Sequence, residues 1–462
     1  MTPAQRRVLA VAILASFVAF LDGSVVNVAL PAISDELAGP LDSGLDALAL
    51  QQWVVDAYLV TLGALILLAG SLSDVHGRKR ILLVGLAGFG VTSLACALAP
   101  TGVFLVAARA LQGISGALLV PSSLAIIIAT FSGAAQAKAI GSWTAWTSVA
   151  GLAGPLVGGI FVDALSWRWV FAINMLPIAV TLWLLRGVPR GTTVEGRHID
   201  GVGAVLATVG LAGSVFGLIE LGARGWGSVL VWPPVVVGVA SLVAFVVWER
   251  RDPDPMLPLS LFSVRNFAVG NVSTFVVYGA LGLVSFAMSI FLQQVAGYSA
   301  FQAGLAQLPS TVVMIGLSTR FGALAGRLGP RWFMAVGPLV AAVGMLTLLR
   351  TDADARYVSQ VLPGVVLLGL GLSITVAPLT AAILGAVPTE DAGIGSAVNN
   401  AVARVAGLVT VACAGIVVGS TFDVGGFHRA MVLCAVLLVL GGVVSGVGIT
   451  NRVARPARSA SV

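Results

Sequence analysis

The most constraining feature of this chain is a set of long apolar runs separated by short polar loops. Near-continuous apolar stretches span about 8–30, 49–72, 81–99, 103–130, 139–162, 168–187, 201–221, 229–248, 266–293, 304–325, 332–350, 358–384, 395–419 and 428–449. At a helical rise of about 1.5 Å per residue, each can cross a hydrocarbon core of roughly 30 Å. A transmembrane barrel would instead alternate apolar and polar residues over segments of about ten. A soluble core of this size needs far more polar surface than 10% charged residues supply against 58% hydrophobic ones, and the mean hydropathy is +1.03. The chain is therefore expected to be an all-α polytopic membrane protein of about fourteen transmembrane helices.

Charge placement orients it. With the N-terminus on one face and spans alternating, eighteen of the 25 Lys and Arg fall on that face. Five fall on the other (Arg168, Arg224, Arg350, Arg356 and Arg429), and Arg109 and Arg404 lie within spans. Basic loops stay cytoplasmic, so both termini are expected there, and an odd helix count would scramble the bias. The net charge of +6 sits in these short loops, which argues against nucleic acid as a partner. Cys96, Cys413 and Cys434 lie in apolar runs without metal-ligand spacing and read as small buried hydrophobes. The apolar run after Arg7 has no cleavage pattern and reads as a retained first helix.

An internal repeat divides the chain. Gly70-Ser71-Leu72-Ser73-Asp74-Val75-His76-Gly77-Arg78-Lys79-Arg80 aligns without gaps with a weaker copy, Gly322-Ala323-Leu324-Ala325-Gly326-Arg327-Leu328-Gly329-Pro330-Arg331. The offset exceeds what six helices need by about two helices, at 1.5 Å rise and a core of roughly 30 Å. The plan is then six helices over 1–187, two inserted helices with linkers over 188–265, six more over 266–450, and a cytoplasmic tail over 451–462.

These residues resemble the major facilitator superfamily, and within it the fourteen-helix drug:proton antiporter branch. Leu21-Asp22-Gly23-Ser24-Val25-Val26-Asn27-Val28-Ala29-Leu30-Pro31 is similar to that branch's first-helix signature, with Ser24 where Thr is usual. Gly70 to Arg80 resembles the inner-loop motif, with Val75 where a basic residue is common. Arg109, Gln112 and Gly113 resemble the fourth-helix motif. Gly141 and Gly154-Pro155-Leu156-Val157-Gly158-Gly159 resemble the fifth-helix antiporter motif, with Ala150 where Gly is usual. Trp167 to Phe171 and Asn174 resemble the start of the sixth helix. The resemblance covers nearly the whole chain. It implies a major-facilitator fold of two six-helix bundles plus two extra central helices. It also implies proton-driven export of small amphipathic compounds such as drugs, antibiotics and dyes. No cofactor is expected beyond the proton gradient. The partners are then a small-molecule substrate, protons and lipid, and the working unit a monomer. Ala, Gly and Arg usage suggests a high-GC bacterium, hence the bacterial inner membrane.

Charges inside a membrane are costly, about 2.5–3.5 kcal/mol on insertion scales. Asp22, Asp56 and Arg109 occupy one depth band, roughly 8–12 Å from the far surface at helical rise. They are expected to form an acid–base–acid cluster that couples transport to protons. Gly70, Asp74, Gly77 and Arg78 are expected to form a cytoplasmic gate, with Asp74 held by Arg78 or by a second-half helix. Gly154, Pro155, Gly158 and Gly159 are expected to form a hinge and leak seal, since proline removes a helical hydrogen bond and small residues let helices approach. Asn271, Tyr278, Phe286, Gln293, Gln294, Asn399 and Asn400 are candidate cavity residues, an apolar lining with a few orienting polar groups. Arg404 is expected to reach back to the basic surface near Glu390 and Asp391. An ATP-driven pump would need a phosphate-binding loop, and neither Lys79 nor Lys138 sits in one. Uptake of a nutrient, or transport of one specific metabolite, is the alternative on the same fold. An enzyme or receptor finds no support in the scattered His76, His198 and His428.

Overall fold

The computed structural model describes residues 1–39, 45–189, 199–388, 392–419 and 422–451. Arg190, Arg197, His198, Glu390, Asp391 and the arginines of the tail lie outside the described residues.

The apolar runs become helices: α1 (Pro3–Leu37), α2 (Ala47–His76), α3 (Arg78–Ala97), α4 (Gly102–Thr130), α5 (Gly133–Ala164), α6 (Trp169–Ala172), α7 (Met175–Leu185), α8 (Gly201–Arg224) and α9 (Trp232–Glu249). After a short 3-10 turn follow α10 (Arg265–Ile290), α11 (Ala300–Leu328), α12 (Arg331–Thr347), α13 (Leu362–Leu384), α14 (Ala392–Ala412), α15 (Ala414–Val418) and α16 (Val424–Gly448). No strand occurs among the described residues. Among the described residues thirteen helices are long and apolar enough to cross a membrane. The stretch Trp169–Leu185 is a shorter apolar segment, broken at Ile173 and Asn174 between α6 and α7. With it the expected fourteen spans are accounted for. Several helices start at a capping side chain. Thr2 and Gln5 form a capping box, as do Ser299 and Gln302, and Asp46 accepts from Ala49 N at 2.7 Å.

The internal repeat is a repeat of packing. In the first half α1 packs on α5, and α4 on α2 and α3. In the second half α10 packs on α14, and α13 on α11 and α12. The turn that begins the repeat is also the same. Gly77 joins α2 to α3 at φ 91°, and Gly329 joins α11 to α12 at φ 89°. Both torsions lie where a side chain is strained, so the two glycines are required by the turn itself.

The halves meet through α2 with α14 and α5 with α11, pairs that the repeat interchanges. Helices α8 and α9 pack on each other, with α8 against α2, α14 and α15, beside this seam. Asp200 and Glu249 anchor them. Asp200 accepts from Gly203 N at 2.7 Å and Trp248 Nε1 at 2.9 Å, and Glu249 accepts from Leu257 N at 2.9 Å.

The two halves touch on the face away from the N-terminus and separate toward the basic face. On the far side Asp163 at the end of α5 accepts from Ala300 N and Phe301 N, capping α11 at 3.0 and 2.9 Å. Gln52 donates to the carbonyls of Val411 and Ala412, and Ser289 and Gln293 donate to the carbonyls of Asn27 and Val28. At mid-depth α2 and α14 are still in contact, Gly63 lying against Val405 and Arg404. Beyond that point they diverge around a cavity of 310 Å³.

Candidate functional site

The first half holds a buried ion pair. Arg109 and Asp22 are 2% and 0% exposed, and Arg109 Nη1 donates to Asp22 Oδ2 at 2.6 Å. An ion pair taken out of water is tolerated only if its remaining donors and acceptors are met. Here they are. Arg109 Nε donates to the Val54 carbonyl at 3.0 Å, and Nη1 also donates to Gln112 Oε1 at 2.6 Å. Asp22 Oδ1 accepts from Gln112 Nε2 and from Asn174 Nδ2, each at 2.9 Å. Gln112 Nε2 further donates to Ser93 Oγ at 2.9 Å. The guanidinium lies 4.3 Å from the ring centre of Tyr58 and 5.6 Å from that of Phe171. One acid thus gathers groups from α1, α2, α3, α4 and the break between α6 and α7. The break places Asn174, wholly buried, on the carboxylate.

Asp56 does not join this cluster. It shares the depth band but sits on the face of α2 that carries Gln52 one turn earlier, within electrostatic reach of Cys413. It is fully buried, and neither carboxylate oxygen has a hydrogen-bond partner among the described residues. Depth along a helix was readable from sequence, whereas the rotation that separates Asp56 from Asp22 is set by packing.

Pro155 and the glycines of α5 form a two-sided contact. A Cβ on Gly154 would come 1.9 Å from Ser24 Oγ, and one on Gly158 would come 2.7 Å from Val25 Cγ2, so these two seat α1. A Cβ on Gly159 would come 2.5 Å from Phe301 Cα, and one on Gly304 would come 2.4 Å from the Pro155 carbonyl oxygen. This second face seats α11 and closes the far side.

Gly70, Asp74 and Arg78 line the cavity on the basic side, together with Trp143, Met256 and Asn400. Arg78 Nη2 lies 3.6 Å from Asp74 Oδ1. Lys79 Nζ donates to the Val188 carbonyl, tying the loop to the end of α7.

The cavity candidates divide. Asn400 lines the cavity, and Tyr278 is half-buried near Arg404. Asn271 instead donates to the Phe267 carbonyl and accepts from Asn399, which also donates to Thr274 Oγ1 at 2.7 Å. That pair fixes α10 on α14. Phe286 is fully buried, Gln293 bridges the halves on the far side, and Gln294 is exposed there. Arg404 departs from expectation. Its guanidinium lies 5.2 Å from the ring centre of Phe20 on α1, across the seam, and its Nε donates to Asn400 Oδ1 at 3.4 Å. An aromatic face and an amide within reach hold the side chain at mid-depth rather than at the surface.

Gln112, Asn174, Ser93 and Tyr58 were not among the expected site residues. Gln112 and Asn174 did stand in quoted motifs. Ser93 and Tyr58 carried no signal beyond being polar atoms in apolar runs.

The Major Facilitator Superfamily model matches residues 12–411 and 270–461. Multidrug resistance protein Stp of Mycobacterium tuberculosis is 36% identical over 391 residues, 83% of this chain and 70% of that protein. Puromycin resistance protein pur8 of Streptomyces alboniger is 35% identical over 413 residues, 87% of this chain and 80% of that protein. A crystal structure of a D-xylose-proton symporter superposes with a TM-score of 0.71 at 17% identity, covering 96% of this chain and 98% of that one, and so shares the fold. Repeated halves, a seam that opens on one face and these matches lead to one conclusion: the chain is a multi-pass transporter and belongs to the major facilitator superfamily.

Proposed function

We propose that this protein exports small amphipathic or hydrophobic compounds, drugs and antibiotics among them, in exchange for protons. The observation that carries the coupling half is the Asp22–Arg109 pair, buried in the first half with both carboxylate oxygens bonded. The resistance proteins it resembles support the export half.

The chemistry follows from that pair. An ionised Asp22 binds Arg109, Gln112 and Asn174 together. A proton on its carboxyl removes the charge that holds Arg109 and converts an acceptor into a donor facing donors, so the five contributing helix segments must shift. In the arrangement described, with the halves parted toward the basic face, Asp22 is bonded as a carboxylate. This corresponds to the state that has released its proton to the cytoplasm and is ready to load. Protonation from the far side would favour the opposite arrangement, with the α5–α11 closure opened and substrate released, by rocking of the two halves. Asp56 is the second proton candidate, its two oxygens buried without a partner. The division at 187 and 265, cytoplasmic termini, a bacterial inner membrane and a monomeric working unit belong to the same reading, with α8 and α9 outside the pathway.

A susceptibility screen tests it. A strain expressing the protein should tolerate several structurally unrelated antibiotics or dyes better than one expressing Asp22→Asn at the same membrane level. No gain in tolerance over a strain lacking the protein, across a broad panel, would remove the export reading, and equal tolerance with Asp22→Asn would remove Asp22 from the coupling.

A further inference from the structure

Arg404 is a cation with unspent hydrogen-bonding capacity, one helical turn from Asn400 in the lining of the open cavity. Helices α2 and α14 are in contact at Gly63 and Arg404 and diverge from there toward the basic face. Asn400, which lines the cavity, is one turn from Arg404 and accepts its Nε. The residue is twelve positions into α14, roughly 18 Å from its start at helical rise, too deep to be a surface group. No carboxylate among the described residues pairs with it. Asp22 is taken by Arg109, and Asp56 faces the Cys413 end of α14. Arg404 Nη1 and Nη2 receive no hydrogen bond partner from any described residue, nor does Tyr278 Oη, which lies within electrostatic reach of Arg404. The Phe20 ring supplies a flat apolar surface against the guanidinium.

A half-buried planar fork with four free N–H donors, a neighbouring phenol and an aromatic wall suit a carboxylate or a similar planar anion carried on an apolar body. They do not suit an organic cation, which would meet uncompensated positive charge at the end of its path. We infer that Arg404 anchors the acidic group of the exported compound, and that the substrate class is amphipathic aromatic anions. This rests on the export reading and narrows it. The site also lies one side chain from the coupling pair. Tyr58 packs on Arg109 and is within electrostatic reach of both arginines, so an anion bound at Arg404 is sensed where Asp22 is held.

The test is binding to the purified full-length protein in detergent, with fluorescein as the anionic probe and ethidium as the cationic one. Fluorescein should bind the unsubstituted protein. Arg404→Gln should weaken it about tenfold or more, the size of losing a charge-assisted contact, while leaving ethidium no weaker. Arg404→Lys, which keeps the charge and loses the fork, should fall between, and decides the matter if Arg404→Gln does not purify as a single species. Unchanged fluorescein affinity in the variants overturns the inference. Binding of ethidium but not fluorescein overturns it and leaves the export reading standing. Binding of neither probe, together with no protection in the susceptibility screen, contradicts both.

Discussion

At the scale of single residues, Asp22 and Asp74 separate two jobs that a carboxylate can do in a transporter. Asp22 is buried and accepts from Arg109 and Gln112 of α4 and from Asn174 between α6 and α7. Asp74 lines a solvent-accessible cavity beside Arg78. Asp22→Asn keeps the shape and removes the titration. Provided the variant reaches the membrane, transport by it is expected to lose its dependence on pH. Asp74→Asn is expected to slow transport and leave the pH profile in place, since its half-buried partner Arg78 lies in the gate and apart from the Asp22 network. Transport measured from pH 6 to 8 for both variants checks this, and identical profiles would undo the division. Arg109→Met tests burial directly. It leaves the carboxylate without its cation, a loss of about 3–5 kcal/mol for a buried pair. The expected result is a clearly lowered melting temperature in detergent, partly restored by adding Asp22→Asn. How much of this site was legible is a question of geometry. Asp22 and Arg109 stood out because charges in apolar runs are rare. Asp56 stood out for the same reason, and the sequence could not say that it points elsewhere. Arg404 was read as a surface-seeking side chain because nothing in its own helix reveals Phe20 across the seam.

At the scale of helices, length and apolar content located nearly every span, because a membrane leaves few alternatives to a helix. The two spans that are not single helices were read as continuous. Trp169–Leu185 is interrupted where Asn174 turns inward, and Ala392–Val418 is interrupted at Cys413. Such breaks depend on what the neighbouring helices offer. The α5–α11 contact gives the sharpest prediction at this scale. Gly159→Val places two methyl groups where Phe301 backbone already lies. The far side should then fail to close. Spin labels on the far ends of α5 and α11 should report a longer distance than in the unsubstituted protein, with transport reduced. An unchanged distance would mean that the glycine face does not govern closure. Gly141→Val, at a position with open space around it, is the matched control and should leave that distance alone.

For the whole molecule, the repeat explains why two pairs of helices carry the seam and why the halves can part on one face while meeting on the other. It does not make the halves equal. Gly326 stands where Asp74 stands in the first half, and the first half holds the carboxylate network while the second contributes Arg404. On the proposed reading, coupling and substrate recognition fall to different halves, and each cycle must carry information across the seam. Exchange of a proton on Asp22 for an exported compound can be followed in everted membrane vesicles with an acidic lumen. Addition of a compound identified in the susceptibility screen should give gradient-driven entry and a simultaneous loss of lumenal protons, whereas with Asp22→Asn no protons are lost and the gradient no longer speeds entry. Entry that persists undiminished after the proton gradient is collapsed, or in Asp22→Asn, would contradict that exchange.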